Sequence, residues 1–363
     1  MDTRKDQGRE YAQGAMMAPN SEPEMIALDQ ASGMPMPEGD NAKRPATSPL
    51  QESLARLRRD KRAMISVGIL VFFVLVSLIF PPIYQRIGGP YVSGVTSLNI
   101  GPQDYHNYYH EELTNQDQGP SAMYWLGTDN LGRDDLARLM QGIIVSLFVA
   151  LFVEFFDITL GITVGVLAGY FGGVIDQLLA RFTDLMLAFP GLLLVIMVAG
   201  IFGPAADTAF APIPIVGANG NARLILVGCV IAFAVWPLMA RVVRGQTLQL
   251  KEQQFVEAAR TSGTTNFRII MRHIIPNLFS VVIVVSTLNV ANTIVGEAGI
   301  SLLGLGVQPP GSSLGLMISE GQTTITQYPR EILIPCIVLT IIVLCVSFLG
   351  DGLRDAFDPR SKD

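Results

Sequence analysis

Two acidic residues lie inside an apolar stretch of this sequence that is otherwise uncharged. Glu154 and Asp157 stand within residues 143–170, and no other charged residue occurs there. At the centre of a membrane-inserted helix a charged side chain costs about 2.5–3.5 kcal/mol. Acidic residues kept in such a helix therefore indicate a proton relay, a substrate path or hydrogen bonds to neighbouring helices.

Other residues with the types and spacing for chemistry are few. His106 and His110 stand at i and i+4, so a helix would place both on one side as metal ligands, but no third ligand follows at a fixed spacing. We therefore expect no metal site, with these two histidines as its only candidates. The three cysteines lie singly in apolar stretches and are expected to pack as small hydrophobic residues, without a disulfide: Cys229, Cys336 and Cys345.

Motifs for ATP hydrolysis or metal-dependent hydrolysis are absent from the sequence. The Gly-Lys dipeptide that ends an ATP-binding P-loop does not occur, and neither does H-E-x-x-H. We expect no catalytic residues on this chain. If the protein moves a solute uphill, the energy has to come from an ion gradient or from a separate ATPase.

The hydrophobic residues are concentrated in stretches long enough to cross a bilayer. Of 363 residues, 50% are hydrophobic and 15% are charged, whereas soluble domains carry about 25% charged residues. A helix needs about 17–25 residues to cross roughly 30 Å of hydrocarbon, and no alternation typical of strands occurs. We predict an all-α polytopic membrane protein with six transmembrane helices, at 63–80, 143–170, 185–203, 224–240, 278–295 and 332–349.

The second predicted span has one face that combines acidic residues and glycines. At roughly 100° per residue, Asp157 and three glycines lie within about 60° of Glu154; the glycines are Gly161, Gly165 and Gly169. Glycines four residues apart allow two helices to pack closely. This face is expected to contact protein or a translocation path. For the two acids we consider hydrogen bonds to other helices, lining of the substrate path, and a proton relay.

Charge distribution predicts the orientation and the appendages. Lys and Arg are concentrated before the first span, between the fourth and fifth spans, and after the sixth, so both termini are expected to be cytoplasmic. Residues 1–50 lack apolar periodicity and are predicted to form a disordered cytoplasmic tail. Residues 83–138 form an acidic, aromatic extracytoplasmic loop, which we expect to help seat a binding protein or a second permease. At the start of the third span, Arg181 and Asp184 at i and i+3 are expected to form a local ion pair at the inner surface.

The cytoplasmic segment 244–277 carries the most specific pattern. Phe255, Val256, Ala259 and Arg260 fit one short amphipathic helix, which Gly263 is expected to end. A second helical stretch leads to a proline suited to the first turn of the fifth span. On the first helix, Ala258 and Ala259 would let another protein approach the backbone closely. Glu257 could cap or pair with a basic group of that protein.

At these residues the sequence resembles the inner-membrane permeases of binding-protein-dependent ABC importers. Their signature is E-A-A, three residues, Gly, nine residues and I-x-L-P, and it is matched at Glu257, Ala258, Ala259, Gly263 and Pro276. His273 and Ile275 replace the Ile and Leu of the signature. Further segments resemble the second ("C") permease of dipeptide and oligopeptide systems: WLGTDNLGRDDLARL (125–139), AGYFGG (168–173), LAFPGLLL (187–194), GISLLGLGVQPP (299–310) and LGDGLRDAFDPR (349–360).

The resemblance implies a fold, a location and partners. It implies the type I ABC importer permease fold in the bacterial cytoplasmic (inner) membrane, with the segment 244–277 as the coupling loop for an ATPase. The implied partners are a second homologous permease, two ABC ATPase subunits and an extracytoplasmic substrate-binding protein, and no nucleic acid. ATP and Mg²⁺ would be bound by the ATPase subunits, and this chain would bind no cofactor.

Several alternatives stay open at this stage. The resemblance implies dipeptides or oligopeptides as cargo, and nickel or another small solute is the alternative. A gradient-driven secondary transporter would use Glu154 and Asp157 instead, and a membrane-embedded hydrolase would need a base, although the predicted spans contain no His or Lys. The expected layout is a tail at 1–50, a basic segment with the first helix at 51–82, the outer loop at 83–138, a five-helix core at 139–350 and a cytoplasmic tail at 351–363.

Overall fold

The structure is a computed structural model that describes residues 49–87, 106–210, 212 and 222–357. The predicted tail at 1–50 lies almost wholly outside these residues, as do positions 88–105 of the predicted outer loop and positions 358–363 of the predicted C-terminal tail. Within the described ranges the chain forms eleven α-helices: α1 (Pro49–Arg59), α2 (Lys61–Ile87), α3 (Asp135–Phe171), α4 (Gly173–Ala188), α5 (Gly191–Phe210), α6 (Ala222–Leu250), α7 (Gln254–Thr261), α8 (Asn266–Ile269), α9 (Ile275–Leu302), α10 (Leu314–Gly321) and α11 (Arg330–Phe357).

Six helical segments in the described ranges are long and apolar enough to cross a membrane, which confirms the all-α prediction. They are α2, α3, α5, α6, α11 and the continuous helical segment Asn266–Leu302. Several extend well beyond the hydrophobic stretches in the sequence. Helix α3 already begins at Asp135, where Asp134 caps it by accepting hydrogen bonds from the backbone N–H groups of Leu136 and Ala137.

The third predicted span is wrongly bounded in the sequence analysis. Residues 185–188 belong to α4, which ends at Ala188, and the span itself is α5, from Gly191 to Phe210. The chain is extended at Phe189, because the residue before a proline, here Pro190, is disfavoured in helical conformation. Because the sequence is hydrophobic on both sides of Phe189, a hydrophobicity pattern does not show this break between α4 and α5.

Helices on both sides extend into the segment 244–277, which is predicted to be cytoplasmic. Helix α6 continues to Leu250, so the expected loop start at 244 lies inside a helix. At the other end, α8 leads through a π-helical turn, Ile270–Ile274, directly into α9. Pro276 is the second residue of α9 and has no N–H for the carbonyl of Arg272, four residues earlier. The wider π turn before Pro276 is where the chain accommodates that missing hydrogen bond.

The glycines of α3 pack against α6. A Cβ atom on Gly165 would lie 2.6 Å from the carbonyl oxygen of Ala240, and one on Gly169 would lie 2.7 Å from Cβ of Thr247. Gly161 is equally close to Met239. The backbones of α3 and α6 can therefore approach only because these positions carry no side chain, and this contact holds α3 at the centre of the described helices.

Candidate functional site

Helix α7 is a short amphipathic helix at the end of α6. Val256 is fully buried, whereas Glu257 and Ala258 on the opposite face are exposed and Ala259 is half-buried. Val256 packs into a cluster with Ile269 and Ile274, which leads into the fifth span. Val256 therefore anchors α7 to this cluster, and the side chains of Glu257 and Ala258 remain exposed.

Gly263 ends this helix by its backbone conformation. Its φ is +75°, in the left-handed region where side chains other than glycine are strained. Its N–H donates to the carbonyl of Arg260, and the N–H of Ser262 donates to that of Ala258. The turn brings the chain back to Asn266 within a few residues.

Large apolar side chains are exposed beside α7. Phe255 is 41% exposed, Met271 is 51% exposed and Phe267 is 73% exposed. The ring of Phe255 lies near that of His273, with 6.2 Å between centroids. Exposed apolar groups beside polar ones are typical of a protein interface. These three apolar residues, together with exposed Glu257 and Ala258, are hereafter called the coupling surface, after the role predicted for this segment.

Beneath the coupling surface lies the C-terminal end of α3. The Tyr170 hydroxyl donates to Oδ1 of Asn266 at 2.9 Å, and Cζ of Arg260 lies 5.3 Å from the centroid of the Tyr170 ring. Tyr170 is 5% exposed and belongs to the same cluster as Val256. One side chain of α3 therefore contacts both α7 and the segment that follows it.

Two ion pairs join α4 to α6 near the same end. Arg244 donates from Nε and Nη2 to the two carboxylate oxygens of Asp176, at 2.5 and 2.8 Å. These hydrogen bonds lower the pKa of the Asp176 carboxyl below its usual range. Asp184 pairs with Arg241 at 2.7 Å; among the ion pairs of the described residues it is not joined to Arg181, so the local pair expected from the sequence is wrong.

Glu154 and Asp157 are both buried between α3 and α9. Asp157 is fully buried and accepts a hydrogen bond from Asn289 at 2.9 Å, and Glu154 is 6% exposed. A cavity of about 370 Å³ opens between α5, α6 and α9. Its polar lining consists of Asn289, Asn292 and Thr293, and neither acid lines it. Both acids therefore lie against α9, and Asp157 contacts the amide of Asn289, which lines the cavity.

Comparison with known proteins assigns this arrangement to a family. The model of the family described as "binding-protein-dependent transport system inner membrane component" matches residues 161–363, which include the coupling surface and four of the six spans. The chain belongs to this family. The model described as "N-terminal TM domain of oligopeptide transport permease C" matches residues 48–116 of the permease, and the permease is therefore a multi-pass protein of the inner membrane.

Individual relatives of the permease extend over nearly its whole length. It is 34% identical over 326 residues to the dipeptide transport system permease protein DppC of Bacillus subtilis (strain 168), covering 90% of each chain. It is 35% identical over 331 residues to the glutathione transport system permease protein GsiD of Shigella flexneri serotype 5b (strain 8401), covering 91% of the permease and 96% of the relative. A solved inward-facing structure of the MetNI methionine ABC transporter has a TM-score of 0.47 at 20% identity and covers 61% of the permease and 97% of that chain.

At the opposite end of the permease, His106 is not placed as a metal ligand. Its Nδ1 lies 2.7 Å from Oδ2 of Asp134, and the ring is 3% exposed. Residues 106–110 form turns rather than the helix that would align His106 with His110. Across the described residues, no group of three or more His, Cys, Asp or Glu side chains is arranged to hold a metal ion.

A buried ionic network lies beside this histidine. Asp129 and Glu320 each accept hydrogen bonds from both Arg133 and Arg138, and the two arginines are almost completely buried. Burial alone would raise the pKa of Asp129, but Arg138 and Arg133, together with two backbone N–H bonds, hold it below its usual range. The network attaches the first turn of α3 and the segment before it to α10, and we name it the outer network.

Sequence reasoning missed Glu320 and also Glu297. Glu297 is 1% exposed in α9 and accepts hydrogen bonds from Ser146 of α3 and from Ser301. It stands two residues beyond the predicted fifth span, so the search for charged residues within the spans does not include it. Ser313 lies in a Gly-x-Ser-x-Gly sequence at 311–315, but it is fully buried and accepts a hydrogen bond from the N–H of Leu316 as the cap of α10. Glu297 therefore joins α9 to α3, and Ser313 caps α10.

Proposed function

We propose that this chain is the transmembrane permease subunit of an ATP-driven ABC importer for dipeptides or oligopeptides delivered by an extracytoplasmic binding protein. The observation that carries the proposal is the coupling surface: α7 is anchored through Val256, Glu257 and Ala258 are exposed, and so are Phe255, Phe267 and Met271 of the same segment. A separate protein docked there can move α7 and, with it, the ends of α6 and α9.

The proposal assigns chemistry and partners to other chains. Two ABC ATPase subunits bind ATP and Mg²⁺ and dock on the coupling surfaces of this permease and of a second, homologous permease. This chain contributes Glu257, Ala258, Ala259, Gly263 and Pro276 to docking and contributes no catalytic residue. The relatives support a small peptide cargo, since one is named for dipeptides and another for glutathione.

Two substitutions in α7 and its turn test the docking role. Glu257→Lys reverses the exposed charge of the coupling surface, and Gly263→Pro cannot adopt a φ of +75°. In proteoliposomes containing the whole complex, each should reduce ATP-dependent peptide uptake and transport-stimulated ATP hydrolysis by at least tenfold. Glu252→Lys is the matched control, because Glu252 is exposed in the same segment but lies outside α7.

The outcomes separate docking from general charge effects. Normal uptake and hydrolysis in both variants would contradict the proposal, and equal losses in the Glu252→Lys control would assign the effect to loop charge instead.

Uptake of a labelled dipeptide, glutathione and nickel by the unaltered complex identifies the cargo class. Inhibition of that uptake by orthovanadate is expected, because vanadate traps ABC ATPases; uptake insensitive to vanadate would indicate a gradient-driven transporter.

A further inference from the structure

Helix α7 is connected to the membrane spans by two chain segments and by side-chain contacts. Residues 251–253 join it to α6, and residues 262–265 join it to Asn266 at the start of the fifth span. Helix α3, which carries Glu154, Asp157 and the glycines that pack against α6, has no chain connection to α7. A movement of α7 reaches α3 directly only through side-chain contacts.

Tyr170 makes such contacts on both sides of the turn that follows α7. Its ring lies 5.3 Å from Cζ of Arg260, which is in the last turn of α7, and its hydroxyl donates to Asn266 at 2.9 Å. The residue stands one position before the end of α3 and is 5% exposed. It therefore fixes the two ends of the 262–265 turn relative to α3.

The packing around Tyr170 makes this a firm connection. Tyr170 shares one apolar cluster with Val256 of α7 and with Ile269, Ile270 and Ile274 of the segment leading into the fifth span. Its neighbour Phe171 is 46% exposed, and its ring meets that of Tyr170 edge-on, with 5.4 Å between the centroids. A cation–π contact and a hydrogen bond are each worth a factor of roughly 2–10 in an equilibrium constant, so together they are sufficient to bias a two-state element.

We propose that Tyr170 is a positioning residue that transmits displacement of the coupling surface to α3. Arg260 and Asn266 are the groups through which it acts. The inference rests on the proposed function, because displacement of α7 presupposes an ATPase docked on it. It adds that α3 moves together with α7 and the start of α9 as one unit. Loss of the connection uncouples ATP hydrolysis from uptake while the ATPase still binds.

The test measures peptide uptake per ATP hydrolysed in proteoliposomes that contain the complete complex. Tyr170→Ala should lower this ratio by at least about tenfold, whereas the amount of ATPase co-purifying with the permease should stay within about twofold of wild type. Tyr170→Phe keeps the ring and loses only the hydrogen bond to Asn266, so a fall of about 2–5-fold is expected. Val174→Ala, at a 70% exposed position of the neighbouring helix α4, is the matched control, and its ratio should equal that of wild type.

A double-variant comparison tests whether Tyr170 acts through Asn266. Because Tyr170→Phe and Asn266→Ala remove the same hydrogen bond, their combination should lower the ratio no more than either change alone. An unchanged ratio in Tyr170→Phe and Tyr170→Ala, or multiplied losses in the double variant, overturns the inference. If Tyr170→Ala fails to fold, Tyr170→Phe and Asn266→Ala decide. A wild-type complex without ATP-dependent uptake would instead contradict the proposed function.

Discussion

Asp157 of α3 accepts a hydrogen bond from Asn289 of α9, with 2.9 Å between Oδ2 and Nδ2. A carboxylate oxygen only accepts, so Asn289 must turn its amide nitrogen toward the acid and keep its carbonyl oxygen for another partner. Asn289 also lines the 370 Å³ cavity between α5, α6 and α9. Asp157 therefore orients a residue of the cavity wall without lining the cavity itself.

The first prediction concerns the two buried acids. The double variant Glu154→Gln, Asp157→Asn keeps side-chain volume and leaves each side chain one oxygen that accepts hydrogen bonds, as Asp157 does from Asn289. Uptake should therefore stay within about twofold of wild type, as expected for residues that join helices. The measurement is initial uptake rate for several peptides over a range of pH. A tenfold loss or an altered peptide preference would indicate a role in the substrate path, and a shifted pH optimum would indicate a proton relay.

The second prediction concerns the contact between α3 and α6. Gly165→Ala places a methyl group 2.6 Å from the backbone oxygen of Ala240, and the helices must separate. The expected loss of stability is about 1–3 kcal/mol, seen as a lower midpoint temperature of the detergent-solubilised protein. In Gly245→Ala the new methyl group would meet no atom within 4 Å, and because alanine favours helix this control should be at least as stable as wild type. Equal midpoints in the two variants would contradict the close contact.

The third prediction concerns the outer network. Glu320→Ala leaves Arg133 and Arg138 with Asp129 as their shared acidic partner. Breaking a fully buried pair costs about 3–5 kcal/mol, and the 21% exposure of the Glu320 side chain places the expected loss toward the lower end. Amide hydrogen exchange in α10 should accelerate, whereas Glu111→Ala, at an exposed position, should not change it. Unaltered exchange in α10 would show that the network does not hold this helix.

The fourth prediction is a pH dependence of the same network. The folded-state pKa of Asp129 is lowered from an ordinary value of 3.8. The stabilisation is therefore complete above pH 3.8 and is lost as the pH falls through the lowered folded-state pKa. After correction for intrinsic rates, the difference in hydrogen-exchange protection of residues 113–138 between wild type and Asp129→Asn isolates this acid. The difference should be steady from pH 7 to about 4 and should shrink below that range; a difference that already shrinks well above pH 4 would contradict the assignment.

Much of the architecture follows from local properties of the sequence. Six spans are predictable because bilayer thickness fixes the length of an apolar helix, and α7 is predictable because its apolar residues follow the helical period up to Gly263. The shared face of Glu154, Asp157 and the glycines follows from the same period. The ends of the helices are harder to predict, because α3 and α6 continue through polar residues that a hydrophobicity pattern assigns to loops.

Pairing between helices is what only the tertiary structure decides. The sequence predicts that Asp184 pairs with the nearby Arg181, but the structure joins it to Arg241, 57 residues away. Glu320 meets Arg133 across 187 residues, and Tyr170 meets Asn266 across 96. Periodicity shows which residues share one helix face, because that depends on backbone geometry alone. Which other helix covers that face depends on packing in three dimensions, and so the partners of Tyr170, Asp157 and Glu320 emerge only in the folded chain.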